Sequence, residues 1–132
     1  MPPTGKKQLT LLEIQIIEKC REIFDKGVSI IVVSLGADGC MLLTKDEAVS
    51  FEPIEVKVKS TVGAGDSMLA AIAYELNALD KDTDPSIEEL ISIVSLGVAA
   101  SSATIEQEGT IMGNSLRIRE LYKKVKVDRS YL

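Results

Sequence analysis

The run Ser29-Ile30-Ile31-Val32-Val33-Ser34-Leu35 constrains the fold more than any other stretch. It is apolar and β-branched, with no polar alternation. It therefore reads as a central strand buried on both faces, a pattern common in parallel sheets. Upstream, Thr10 and Glu13 have the spacing of a capping box. Leu11, Leu12, Ile14, Ile16, Ile17, Cys20, Ile23 and Phe24 follow at helical spacing, and Gly27 ends the run. A helix feeding such a strand is half of a βαβ unit, which predicts an α/β chain.

Past that strand the pattern shortens. Gly36-Ala37-Asp38-Gly39 turns the chain, Cys40–Thr44 and Ala48–Phe51 read as short strands, and Lys45–Glu47 joins them. That spacing predicts an antiparallel meander at one edge of the sheet. Ile54–Lys59 alternates apolar and charged residues, as a half-exposed segment does. Three more helices are expected. The first spans Ser67–Leu79, with Met68, Leu69, Ile72 and Leu76 inward. The second is capped by Ser86 with Glu89 and runs to Ala103. The third starts at Asn114 or Ser115 and ends at Val125, with Leu116, Ile118, Leu121 and Tyr122 inward. Lys126–Leu132 is polar and is expected to fray. Residues 1–132 are read as a single domain.

The totals exclude several functions. Among 132 residues, 20 Asp and Glu outnumber 15 Lys and Arg, and the net charge of −5 leaves no basic footprint for nucleic acid. No apolar run is read as a membrane span, and no leader sequence is read at the start. The chain has no His, so a Ser-His-Asp or Cys-His catalytic scheme is excluded. Cys20 and Cys40 fit buried reduced thiols, as in a cytoplasmic protein. The acidic loop Asp80–Asp84 lacks the Gly and Glu of a calcium-binding loop.

Ser60-Thr61-Val62-Gly63-Ala64-Gly65-Asp66-Ser67 concentrates the chemistry. Small residues let a phosphate approach the backbone, and a helix beginning there directs N–H groups and its positive dipole end at one point. Asp66 stands beside that point as an available base. Taken alone, these residues also fit a plain glycine turn with an ordinary acid in the first helical turn.

The stretch Ser60 to Ala71 resembles the second signature of the ribokinase-like sugar kinases, and within them the branch acting on sugar phosphates. The resemblance implies a partial ribokinase-like three-layer αβα fold with the meander at one edge. It implies that Asp66 takes the proton from the accepting hydroxyl and that Gly63, Ala64 and Gly65 form the anion hole. Ser34-Leu35-Gly36-Ala37-Asp38-Gly39 is similar to the family's ATP-contacting turn, which makes Ser34, Gly36, Ala37, Asp38 and Gly39 nucleotide-binding candidates beside Gly65 and Asp66. Ala100, Ser101, Thr104 and Gly109 are candidates for the wall of the adenine pocket.

The expected ligands are ATP, Mg²⁺ as the usual partner of its phosphates, and a sugar phosphate. Fructose 1-phosphate is favoured, with fructose 6-phosphate and tagatose 6-phosphate as alternatives. Ser60 stands where many members carry the Asp of a monovalent-cation site, so that site is not carried over. No Asn-x-x-Glu, the family motif tied to Mg²⁺, occurs: Asn77 and Asn114 lead to Asp80 and Arg117. The resemblance thus covers the C-terminal portion of a longer kinase and omits its sugar pocket. Such a segment is expected to self-associate and to lack turnover alone. A nucleotide-binding module without catalysis is the alternative.

Overall fold

Thr10 and Glu13 form the expected capping box in the computed structural model, which describes residues 8–80, 82–107 and 114–132. Thr10 Oγ1 accepts the Glu13 N–H at 3.1 Å, and Glu13 Oε1 accepts the Thr10 N–H at 3.0 Å. Helix α1 (Leu11–Phe24) follows and packs Ile17, Cys20 and Phe24 against Met41, Leu43 and Ala48. Glu13 is buried in the process, and Ser50 Oγ donates to its second oxygen. That bond offsets the cost of taking a carboxylate out of water.

The chain divides into two compact units: one runs to Glu52 and takes back Lys126–Leu132, and the other is Pro53–Val125. The first contains a four-stranded sheet in the order β1 (Ile31–Ser34), β2 (Cys40–Leu43), β3 (Glu47–Phe51), β4 (Val127–Tyr131), every pair antiparallel. The meander is present as expected. The role expected of Ser29–Leu35 is not: β1 pairs antiparallel with β2 and lies at an edge, with Ile31, Val32 and Val33 only half-buried. Burial on both faces falls instead to β2 and β3. Met41 and Leu43 face α1, while Leu42, Val49 and Phe51 on the opposite face are buried too. A strand with a neighbour on each side is screened at both edges, whereas among the described strands β1 has a neighbour on one side only.

The tail also departs from expectation. Lys126–Leu132 does not fray; Val127–Tyr131 pairs with the whole of β3. Its residues Asp128, Arg129 and Ser130 hide the strand from an apolar-periodicity reading. The backbone of β3 supplies the specification, because its outer edge would otherwise leave a row of unpaired N–H and C=O groups. Arg129 then clamps the pair: Nε donates to Glu47 Oε1 at 2.9 Å and Nη2 to Glu47 Oε2 at 3.0 Å.

The second unit is helical. Helix α2 spans Ala64–Ala78, α3 spans Ile87–Ile105 and α4 spans Ser115–Tyr122. Helix α2 starts three residues before the expected Ser67, so the Gly-Asp pair lies inside its first turn. Its buried face is Ser67, Met68 and Ile72, while Leu69, expected inward, is 68% exposed. Helix α3 opens on the predicted Ser86–Glu89 capping box. Contrary to expectation it is long and apolar enough to cross a membrane by length and composition, but 61% of that stretch is buried, as in a core helix.

Gly97 lets α2 and α3 approach closely, since a Cβ there would lie 2.9 Å from Ile72 Cγ1. Ala99, Ala103 and Leu121 form a second core with Ile54, Val56 and Ile118. Ile54 and Val56 of the Ile54–Lys59 segment are thus used without a strand, while Val58 is exposed. In α4 the inner residues are Ile118 and Leu121, and Leu116 is 71% exposed.

Candidate active site

Gly63 is the N-cap of α2 and has φ of +82°, a left-handed conformation that an L side chain would strain. This sharp entry lets Ala64, Gly65 and Asp66 form the first helical turn. No side chain caps it. The Ala64 N–H bonds back to the Thr61 carbonyl at 3.4 Å and the Ser67 N–H to the Gly63 carbonyl at 2.9 Å. Among the described residues, the N–H groups of Gly65 and Asp66 between them find no acceptor. The Asp66 side chain is exposed at the same turn. Orphan donors, a dipole's positive end and a carboxylate therefore share one place.

Gly65 has ordinary helical φ, and a Cβ built on it would meet nothing within 4 Å. Neither backbone conformation nor the chain's own packing calls for glycine there.

The last turn of α3 holds this turn from behind. The Ile105 carbonyl accepts the N–H groups of Lys59 at 2.9 Å and Ser60 at 3.2 Å, fixing the way in. Ser60 Oγ accepts the Val62 N–H at 3.2 Å. Its hydroxyl thus serves the turn and supplies no charge. Ser67 Oγ and Thr104 Oγ1 share a hydrogen bond of 2.7 Å, and both residues are almost wholly buried. Glu106, next along, is gripped by Arg117 of α4, whose Nε donates at 2.8 Å and Nη2 at 2.6 Å. The guanidinium holds the Glu106 carboxyl below the usual carboxylate range, and the pair raises Arg117 in turn.

Of the adenine-wall candidates, Ala100 is buried, Ser101 is half-buried, and Thr104 faces the Gly63–Ser67 turn. Gly109 lies outside the described residues. Ser67 is the participant missed in the sequence. Its signal is a polar residue in phase with the apolar stripe of a helix; Gly97 and Thr104, seven apart, likewise share one face of α3.

Ser34 to Gly39 belongs to the other unit. Residues Gly36–Asp38 form a 3₁₀ turn, with Gly36 at φ +59° and the Leu35 N–H bonded to the Gly39 carbonyl at 2.8 Å. The sequence placed this turn at the end of a parallel strand. It instead joins the antiparallel pair β1 and β2, leaving Ser34, Gly36, Ala37 and Asp38 exposed and Gly39 half-buried.

Other chemistries find little support. Cys20 and Cys40 are buried and unpaired, and burial pushes the Cys40 thiol up to about 12, so it is no nucleophile at neutral pH. Among the described residues no three His, Cys, Asp or Glu converge. No ligand set for Mg²⁺ is therefore formed among the described residues. A cavity of about 410 Å³ between α2, α3 and α4, lined by Glu75, Leu96, Arg119 and Tyr122, lies away from Asp66. Nine residues along α2 separate the two, roughly 13 Å.

The sequence pattern of the pfkB family carbohydrate kinases matches residues 5–117. The chain belongs to the pfkB family. It is 27% identical over 128 residues to the 1-phosphofructokinase of Vibrio cholerae, covering 96% of this chain and 37% of that protein. It is 35% identical over 105 residues to the ATP-dependent 6-phosphofructokinase isozyme 2 of Mycobacterium tuberculosis H37Rv, covering 79% of this chain and 29% of that one. The crystal structure of phosphofructokinase-2 from Escherichia coli in complex with potassium superposes with a TM-score of 0.70 at 28% identity, covering 91% of this chain and 36% of the other. The fold is therefore ribokinase-like. The pfkB segment spans roughly a third of the length of these relatives.

Proposed function

We propose that this chain is the C-terminal ATP-binding and catalytic portion of a longer cytoplasmic sugar-phosphate kinase. Asp66 takes the proton from the accepting hydroxyl as its oxygen attacks the γ-phosphorus of ATP. The bond to the β–γ bridging oxygen breaks, and ADP leaves. The N–H groups of Gly65 and Asp66, with Gly63 setting their direction, stabilise the charge on the moving phosphoryl group. Ser34, Gly36, Ala37, Asp38 and Gly39 contact the nucleotide. Ala100, Ser101 and Gly109 belong to its adenine wall. Mg²⁺ arrives with the ATP phosphates, and no step is assigned to it because the described residues offer no ligand set.

The observation carrying this reading is the open space over Gly65, at a turn with orphan donors and an exposed acid. Fructose 1-phosphate is the favoured acceptor, supported by the likeness to the Vibrio enzyme across 96% of the chain. Fructose 6-phosphate is the second reading, supported by the higher identity to the Mycobacterium enzyme. A panel of sugar phosphates, tagatose 6-phosphate included, with the complete polypeptide separates them.

In that polypeptide Asp66→Asn is expected to lower kcat by at least about 10² while ATP affinity stays within a few fold. Near-normal turnover of the variant removes Asp66 from the base role. ATP binding by the complete polypeptide with no phosphoryl transfer to any acceptor favours a nucleotide-binding module.

A further inference from the structure

The catalytic turn needs support that its own bonds do not give. Its first helical turn has no side-chain cap, and its central N–H groups take no acceptor among the described residues. A preorganised donor pair must nonetheless stay in place while charge develops before it, because displacement by about 1 Å costs on the order of 10² in rate. The bonds that fix this turn from outside come from the last turn of α3. The Ile105 carbonyl takes the Lys59 and Ser60 N–H groups ahead of it, and Thr104 Oγ1 bonds Ser67 Oγ just past Asp66. The Thr104 methyl also lies under Gly63, 3.8 Å from where a Cβ would stand. One residue of α3 thus meets the start and the end of the Gly-Ala-Gly-Asp turn.

We propose that Ser67 and Thr104 are a positioning pair for phosphoryl transfer: their buried hydrogen bond sets the first turn of α2, and with it the Asp66 carboxylate and the Gly65 and Asp66 donors, against the reacting phosphate. Neither hydroxyl touches substrate. The proposal rests on the reading of Asp66 as base and explains why a polar pair occupies an interface otherwise closed by Gly97, Met68 and Ile72. An alanine–valine pair would fill the same space without a hydrogen bond. A pair kept only for packing has no need of hydroxyls.

That alternative supplies the test. Losing one hydroxyl breaks this bond and sets a polar group against an apolar one across a buried contact, whereas losing both leaves an apolar contact of similar shape. Ser67→Ala and Thr104→Val alone are each expected to lower Tm. The double variant is expected to recover Tm to within about 2 °C of the parent. In the complete polypeptide its kcat stays about tenfold down, with KM for ATP unchanged within about twofold. Thr104→Ser, which keeps the hydroxyl, is expected to keep kcat within about twofold. In ¹⁵N relaxation of the 132-residue chain, the double variant should show faster local motion at the Gly65 and Asp66 amides, with the rest of α2 unaffected. A double variant that recovers kcat together with Tm overturns the proposal and leaves the bond as packing. If Asp66→Asn keeps its turnover, the underlying reading fails instead, whatever the pair does.

Discussion

On the proposed function, Gly65 serves a ligand at the expense of the fold. It sits in a helical turn with ordinary φ and with nothing near its missing side chain. Glycine in a helix costs about 0.5–1 kcal/mol relative to alanine. Gly65→Ala is therefore expected to raise stability by up to about 1 kcal/mol in denaturant titration. In the complete kinase it should also weaken ATP use at least tenfold, because the methyl group occupies the phosphate's approach. Gly63 differs, since its φ of +82° makes any L residue strained there, and Gly63→Ala loses on both counts. The two glycines of one motif thus have separable physical roles, one conformational and one steric.

Among the elements, β4 is held to β3 by its backbone ladder and by one side-chain pair. The Glu47 and Arg129 side chains are 9% and 14% exposed and meet in two parallel N–H···O bonds. Removing Arg129 takes both of these bonds from the Glu47 carboxylate in a partly dry site. Arg129→Ala is expected to cost about 3 kcal/mol, and the Glu47→Ala/Arg129→Ala double variant less than the sum of the singles. Additive costs in urea unfolding would count against the pair as the clamp of β4.

The more exposed Glu106–Arg117 pair, which joins α3 to α4, reports on pH. Its folded carboxyl titrates below the ordinary value of 4.5. The stability it contributes is complete above that value and is lost as pH falls through the depressed one. Glu106→Gln should flatten this acid limb of the stability curve and leave Tm at pH 4.5–7 lower and nearly level. An unchanged limb would mean the pair is not linked to folding.

At the scale of the molecule, the pfkB segment leaves large apolar side chains open to solvent. Leu11, Leu12 and Ile14 on α1 and Leu69 and Tyr74 on α2 are open to solvent. β1 has a free edge among the described strands. Apolar patches and a bare strand edge both promote association. The isolated 132-residue chain is expected to sediment as more than a monomer at tens of micromolar and to phosphorylate no sugar phosphate. A monodisperse monomer, or turnover of fructose 1-phosphate by this chain alone, would contradict that. The α/β class and the helix starts at Thr10 and Ser86 were legible because capping and periodicity are local properties. The turn at Gly63–Asp66 was legible for a similar reason: its chemistry lies in consecutive residues.

What the sequence by itself determined is accordingly local: which segments are helices, where the meander turns, and which acid stands beside which glycines. Only the tertiary structure decided that Ser29–Leu35 supplies an edge strand, that the polar tail becomes β4, and that Ser67 reaches Thr104 across 37 residues. Each depends on a partner distant in the chain. A strand's place follows from which edges are free to pair with it, and a buried hydroxyl's role from the hydroxyl opposite. Neither neighbour is encoded in the spacing of the residues themselves.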